Sequence, residues 1–135
     1  MRRLFTLDGP ARERLAQRLA DALALRADVS FAYVFGSILE RDAIRDVDVA
    51  VWTAPGAAAS ADMELAASLS RLVGLPVDVR RVNDAGVPFL FHALRGRPLV
   101  VRDEPLLAAV MERTARQYHD MAALLRRATR EAFGA

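Results

Sequence analysis

The sequence predicts an α/β (α+β) chain in which helices alternate with short strands and one long helix closes the C-terminal end. Three observations carry this. Leu15, Leu19, Ala22 and Leu23 recur at the spacing of one helix face, whereas the β-branched and aromatic runs at 29–35, 46–52 and 77–82 have the length and composition of strands. Beyond Pro105 no glycine or proline occurs up to Arg130, and an apolar stripe persists throughout that stretch.

Taken in order, Asp8 followed by Pro10 predicts an N-cap with proline in the first turn, opening a helix over 10–26. Val29 to Phe35 reads as a strand that runs directly into Gly36-Ser37, and Ser37 to Ala43 as a short helix or turn. Asp46 to Trp52 forms the second strand, broken by Thr53-Ala54-Pro55-Gly56 and followed by an alanine-rich loop. Ser60 suits the cap of a helix with Asp62 and Glu64 in its first turn and a Leu65, Leu69, Leu72 stripe, stopped at Gly74. Pro76 leads into a third strand, Val77 to Val82. Pro88 to Leu94 predicts a short helix ending near Gly96, Leu99 to Val101 an extended segment, and 102–105 the entry to a helix over about 104–131. Its stripe comprises Leu107, Val110, Met111, Thr114, Tyr118, Met121, Ala122 and Leu125. The first half of that helix is expected to pack on the body. The second half, Met121 to Phe133, offers itself equally to the core or to a partner.

At 135 residues, 53% of them hydrophobic and 27% charged, the chain suits one domain, 1–135, with one site. No apolar run approaches the roughly 20 residues of a bilayer span, and Asp8, Gly9 and Pro10 interrupt the basic N-terminus before a signal-peptide core can form. A cytoplasmic protein without membrane contact is expected. Cysteine is absent, which excludes disulfides, thiolate metal sites and cysteine nucleophiles. All 19 basic residues are arginine, spread along the chain against 17 acids. No basic tail for direct nucleic-acid binding results, and mechanisms that need a lysine are excluded.

The chemistry concentrates in three places. Glycine at Phe35-Gly36-Ser37 lets backbone approach phosphate oxygens and Ser37 adds a hydroxyl, although a Gly-Ser pair by itself equally marks an ordinary turn. Eight residues on, Asp46 and Asp48 share one face of a strand while Val47, Val49 and Val51 point to the other, toward a core. By themselves two such acids are also what a partly exposed strand carries. Asp78 then interrupts an apolar strand, where an unmatched charge is costly. If that strand neighbours the second, three carboxylates gather into a cluster suited to Mg²⁺.

The order Gly36-Ser37, Asp46-x-Asp48, Asp78 resembles the nucleotidyltransferase superfamily related to DNA polymerase beta, and the small size resembles its minimal nucleotidyltransferase (MNT) branch. The likeness continues through Val77-Asp78-Val79-x-x-Val82-Asn83, the apolar helix to Gly96, Pro98-Leu99-Val100, Asp103 and a long helix bearing Tyr118 and Asp120. The resemblance implies a nucleotidyltransferase fold, a small mixed β-sheet flanked by helices. It implies that Gly36 and Ser37 hold the terminal phosphates of ATP, that Asp46 and Asp48 ligate two Mg²⁺ ions, and that Asp78 ligates one and accepts the proton of the attacking hydroxyl. It implies a HEPN-type toxin as partner, an all-helical ribonuclease silenced when AMP is transferred to its tyrosine.

The chain departs from that pattern after Gly36-Ser37. The connection Ile38 to Arg45 is shorter than the family's and lacks its glycine, and Glu40 stands at the expected arginine, leaving Arg41 as a substitute nucleotide-binding residue. Two alternatives follow: an antitoxin that neutralises by binding alone around a vestigial nucleotide site, and an aminoglycoside-type transferase, for which an oligomer would have to build the acceptor pocket. Among the remaining residues, His92 reads as an ordinary helical histidine, and two histidines far apart argue against a histidine metal site. Tyr118 reads as packing with its hydroxyl at the rim. Trp52 flanks a base or caps the core, and Arg80 pairs a carboxylate or contacts phosphate.

Overall fold

The computed structural model describes residues 4–41, 43–57 and 61–133. In chain order they form β1 (Phe5–Thr6), α1 (Gly9–Ala24), β2 (Val29–Phe35), α2 (Ser37–Glu40), β3 (Ala43–Ile44), β4 (Val47–Thr53), α3 (Ala61–Val73), β5 (Val77–Arg81), α4 (Val87–Leu94), β6 (Arg97–Val101) and α5 (Glu104–Phe133). The four-stranded sheet runs β5-β4-β2-β6. Its β2–β4 and β2–β6 pairs are antiparallel and its β4–β5 pair is parallel, so the expected small mixed sheet is present. The parallel pair requires a crossover, and α3 supplies it.

Local chemistry explains the boundaries. The Asp8 carboxylate accepts a hydrogen bond from the Ala11 backbone N–H at 2.8 Å, and Pro10 occupies the first turn of α1. At the other end of that helix, the Arg102 guanidinium donates to the carbonyls of Ala24 at 2.7 Å and Arg26 at 3.2 Å, satisfying groups a helix terminus leaves open. The Asp103 carboxylate accepts from the Leu106 N–H at 3.1 Å and starts α5. Within α3, the Ser70 hydroxyl donates to the Ala66 carbonyl at 2.7 Å and accepts the Val77 N–H at 2.8 Å, which ties the crossover helix to the start of β5. Asn83 extends the β4–β5 pairing beyond its last ladder bond: its side chain accepts from the Thr53 N–H at 3.0 Å and donates to the Thr53 carbonyl at 2.8 Å.

The core is double. Val47, Val49 and Val51 face Leu15, Leu19 and Leu23 of α1 and Leu65 and Leu69 of α3, as the alternation requires. The opposite face is also covered, by Leu90, Ala93 and Leu94 of α4 and Val110 of α5 packing on Phe31, Tyr33, Phe35 and Ala50. An irregularity between Val29 and Phe31 places both odd-numbered residues on different faces of β2.

The expectations hold with small corrections. The first helix is Gly9–Ala24 rather than 10–26, the second long strand Val47–Thr53 rather than 46–52, and the third Val77–Arg81. The short antiparallel pair β1–β3, Phe5 opposite Ile44 and Thr6 opposite Ala43, was not legible, because two-residue strands carry no periodicity. The proposed Ser60 cap and most of the alanine-rich loop lie outside the described residues. Only Val110 and Thr114 of α5 are fully buried; Tyr118 lies flat on Phe91 with ring centroids 3.8 Å apart, and beyond Ala123 the helix is exposed through Phe133. The second half of α5 is thus no part of the core. Among the described residues, no helix is long and apolar enough to cross a membrane.

Candidate active site

Strand pairing assembles the site. In the antiparallel β2–β4 ladder Phe35 stands opposite Asp48, so the turn that follows Phe35 is delivered to that carboxylate. Gly36 has φ +84° there, a left-handed conformation that side chains rarely tolerate, and a Cβ on it would lie 2.9 Å from Asp48 Oδ2. Glycine is required twice over, for its dihedral and for the absence of a side chain against the acid. Ser37, half-buried, opens the four-residue α2.

In the parallel β4–β5 ladder Asp48 stands opposite Asp78, confirming that the third strand neighbours the second. Asp46 lies just before β4, half-buried like Asp48, while Asp78 is exposed. Burial, then Asp46, then Asp78 push the Asp48 carboxyl above the ordinary carboxylate range; Arg80 and His92 pull it part of the way back. Asp46 and Asp78 therefore both act on Asp48.

Such a set suits a divalent cation in kind. Its donors are hard oxygens, and a cation would offset both the burial and the like-charge repulsion that raise Asp48. In placement the fit is looser, for among the described residues no group of three or more acidic or histidine side chains converges on one point. The carboxylates border a common site without forming a closed cage, so their side chains must turn inward to share an ion.

The wall facing these acids comes from α4, which the sequence does not disclose. Phe35 is gripped edge-on by Phe89 at 5.5 Å and by His92 at 5.8 Å between ring centroids. Arg80, aligned with Ala50 in the ladder, lays its guanidinium over Phe89 at 4.6 Å. Both open readings of Arg80 shared the acid face, and its charge does act on Asp48. His92, read as an ordinary helical histidine, proves to be an exposed neighbour of the acid site. No sequence signal ties it there beyond its place on α4, because the contact arises from how that helix is set against β2.

The remaining candidates separate from the acids. Arg41 ends α2, exposed, with its carbonyl accepting from the Arg12 guanidinium at 2.8 Å, and it is not among the described charges acting on Asp48. Trp52 stacks on Phe31 at 5.5 Å within the second core, the capping alternative of its two readings. Tyr118 and His119 gather around Phe91.

The family model described as "Polymerase beta, Nucleotidyltransferase" matches residues 17–105, which include every acid of the site. No curated protein sequence matches the chain. Among solved structures, the chain is similar to one from a complex of a tri-AMPylated Shewanella oneidensis HEPN toxin with its MNT antitoxin, with TM-score 0.68 and 20% identity over 92% of this chain and 99% of that one. A toxin-antitoxin structure with AMP-PNP gives TM-score 0.64 at 20% identity, covering 96% and 100%. The MntA-HepT toxin-antitoxin structure gives 0.61 at 20% identity, covering 95% and 100%. At such identities the likeness is one of fold.

Proposed function

The chain belongs to the polymerase beta nucleotidyltransferase family, and we propose that it is a Mg²⁺-dependent protein adenylyltransferase that acts as the antitoxin of a HEPN-type toxin, transferring AMP from ATP to the toxin. The observation that carries the reading is the meeting of Gly36, Asp48 and Asp78 at one corner of the sheet, with Gly36 against Asp48 and Asp78 beside it in the next strand. Support for the partner comes from the neighbours in fold, one of which is an MNT antitoxin complex with an AMPylated toxin.

In this reading Gly36 and Ser37 receive the terminal phosphates of ATP, with the glycine backbone free to approach them. Asp46, Asp48 and Asp78 would hold Mg²⁺, two ions in the full complement, which supplies charge neutralisation for the phosphates and for the attacking and leaving oxygens. Asp78 would accept the proton of a tyrosine hydroxyl arriving from outside, a role its exposure supports. The hydroxyl oxygen bonds to the α-phosphorus as the α–β bridging bond breaks, and pyrophosphate leaves. The protein's share is positioning and electrostatics. Incubation with labelled ATP, Mg²⁺ and the HEPN protein should label that protein, and Asp48→Asn should stop it; labelling that survives the substitution overturns the mechanism.

A second reading is favoured by the short α2, its exposed Glu40 and the open arrangement of the acids. The chain would neutralise its partner by binding, around a nucleotide site that no longer turns over. An Asp46→Asn/Asp48→Asn variant that still neutralises the toxin as well as wild type selects this reading over the first.

A further inference from the structure

Beside Gly36 lies a half-open pocket of about 240 Å³ lined by Phe35, Leu39, Glu40, His92, Arg95 and Gly96. Its charged groups come from opposite sides: Glu40 from α2, and His92 and Arg95 from the end of α4. Residues three apart lie near one another on a helix, and both His92 and Arg95 line the pocket.

Their placement is fixed by close packing. Gly96 ends α4 so tightly against β2 that a Cβ there would press on the Val34 carbonyl oxygen and lie 2.9 Å from the Phe35 Cβ. Phe35 in turn carries His92 and Phe89 edge-on. Arg95 is braced from behind, its guanidinium 5.7 Å from the centre of the Phe91 ring. The strand that ends in the Gly36 turn and the helix that bears His92 are therefore in direct contact. The pocket also adjoins the acids, since Gly36 lines it and a Cβ there would lie 2.9 Å from Asp48 Oδ2.

We propose that His92 and Arg95 form a polyphosphate subsite, taking the β- and γ-phosphates of the nucleotide in the pocket between α4 and the Gly36 turn. This rests on the nucleotidyltransferase reading of the acid site and adds to it the residues that hold the leaving group. Arg95 supplies a permanent charge and a planar donor fork, and His92 adds a ring N–H donor to the same lining. Glu40 opposes them: its carboxylate competes with the phosphates for the same two donors, so it weakens affinity.

Calorimetry on the full chain with Mg²⁺, using AMP-PNP, AMP and inorganic tripolyphosphate as separate probes, tests this. His92→Ala/Arg95→Ala should weaken AMP-PNP and tripolyphosphate at least about tenfold, the scale of charge-assisted hydrogen bonds, and leave AMP unchanged. Glu40→Gln should tighten both polyphosphates, and Arg95→Lys should restore part of what Arg95→Ala loses. Unchanged polyphosphate affinity in the double variant, or an equal loss for AMP, overturns the subsite while leaving the nucleotidyltransferase reading in place. A wild-type chain that binds none of the three probes overturns both. Thermal melting of each variant separates lost binding from lost fold.

Discussion

On one face of the four-stranded sheet Val47, Val49 and Val51 are sealed beneath α1 and α3; on the other, the residues between them run Asp48, Ala50, Trp52, and helices cover only the later part of that run. The same strand thus contributes a dry layer and a graded one. On the first face each residue is fully removed from water, and its work is cohesion. On the second, α4 and α5 pack over Ala50 and Trp52 but leave the Asp46–Asp48 end facing the Gly36 turn. The lesson is that the site is the uncovered corner of a core face, so its acids have apolar neighbours on one side and open approach on the other. That half-burial, with two like charges beside it, is what raises the Asp48 carboxyl.

The comparison makes opposite predictions for the two faces. The largest effect belongs to Asp48→Asn, which should cut transfer at least about a thousandfold, equivalent to about 4 kcal/mol, without lowering the melting temperature. Next, Leu19→Ala beneath the dry face should cost about 3 kcal/mol of stability by denaturant titration, while the remaining folded protein keeps its nucleotide affinity. Stability loss in the first variant, or selective loss of binding in the second, would break the division of labour between the faces. Gly36→Ala should fall between them, losing about 1–2 kcal/mol to the left-handed backbone and about a hundredfold in transfer as Asp48 is displaced.

A smaller effect sharpens the same contrast. Asp48 holds its proton more tightly folded than unfolded, so its contribution to stability is fullest below the ordinary carboxylate pKa of 3.8 and is lost as pH rises through the raised value. The stability difference between Asp48→Asn and wild type should therefore favour the variant at about pH 7 and shrink toward about pH 3; a difference that is flat across this range counts against the buried, crowded acid. Smallest of all is Glu13→Gln. The Glu13–Arg97 pair is well formed, at 2.7 and 2.9 Å, yet exposed, and its loss should leave the melting temperature unchanged within error.

Much of this was legible because it depends on periods and types. The alternation 46–52 separated the acids from the valines, and the isolation of Asp78 in an apolar strand marked it as a group needing a partner. Gly36 was marked by position, though its contact with Asp48 waited on the pairing of Phe35 with Asp48. Arg41 stands next to the position where the resemblance implies an arginine, whereas the basic groups described as acting on Asp48 are Arg80 and His92. Nothing local distinguishes His92 from any helical histidine.

By itself the sequence determined the α/β class, the length and order of the long elements, the two-faced strand and the three acids, since each follows from chain-local sterics and side-chain alternation. Only the tertiary structure decided that β4 lies between β2 and β5, that α4 packs beside the acid corner without covering it, and that Gly96 brings His92 and Arg95 to the Gly36 turn. Those are contacts between residues about 60 positions apart, such as Phe35 and Gly96, and long-range contact is set by how whole faces bury one another, which no local pattern encodes.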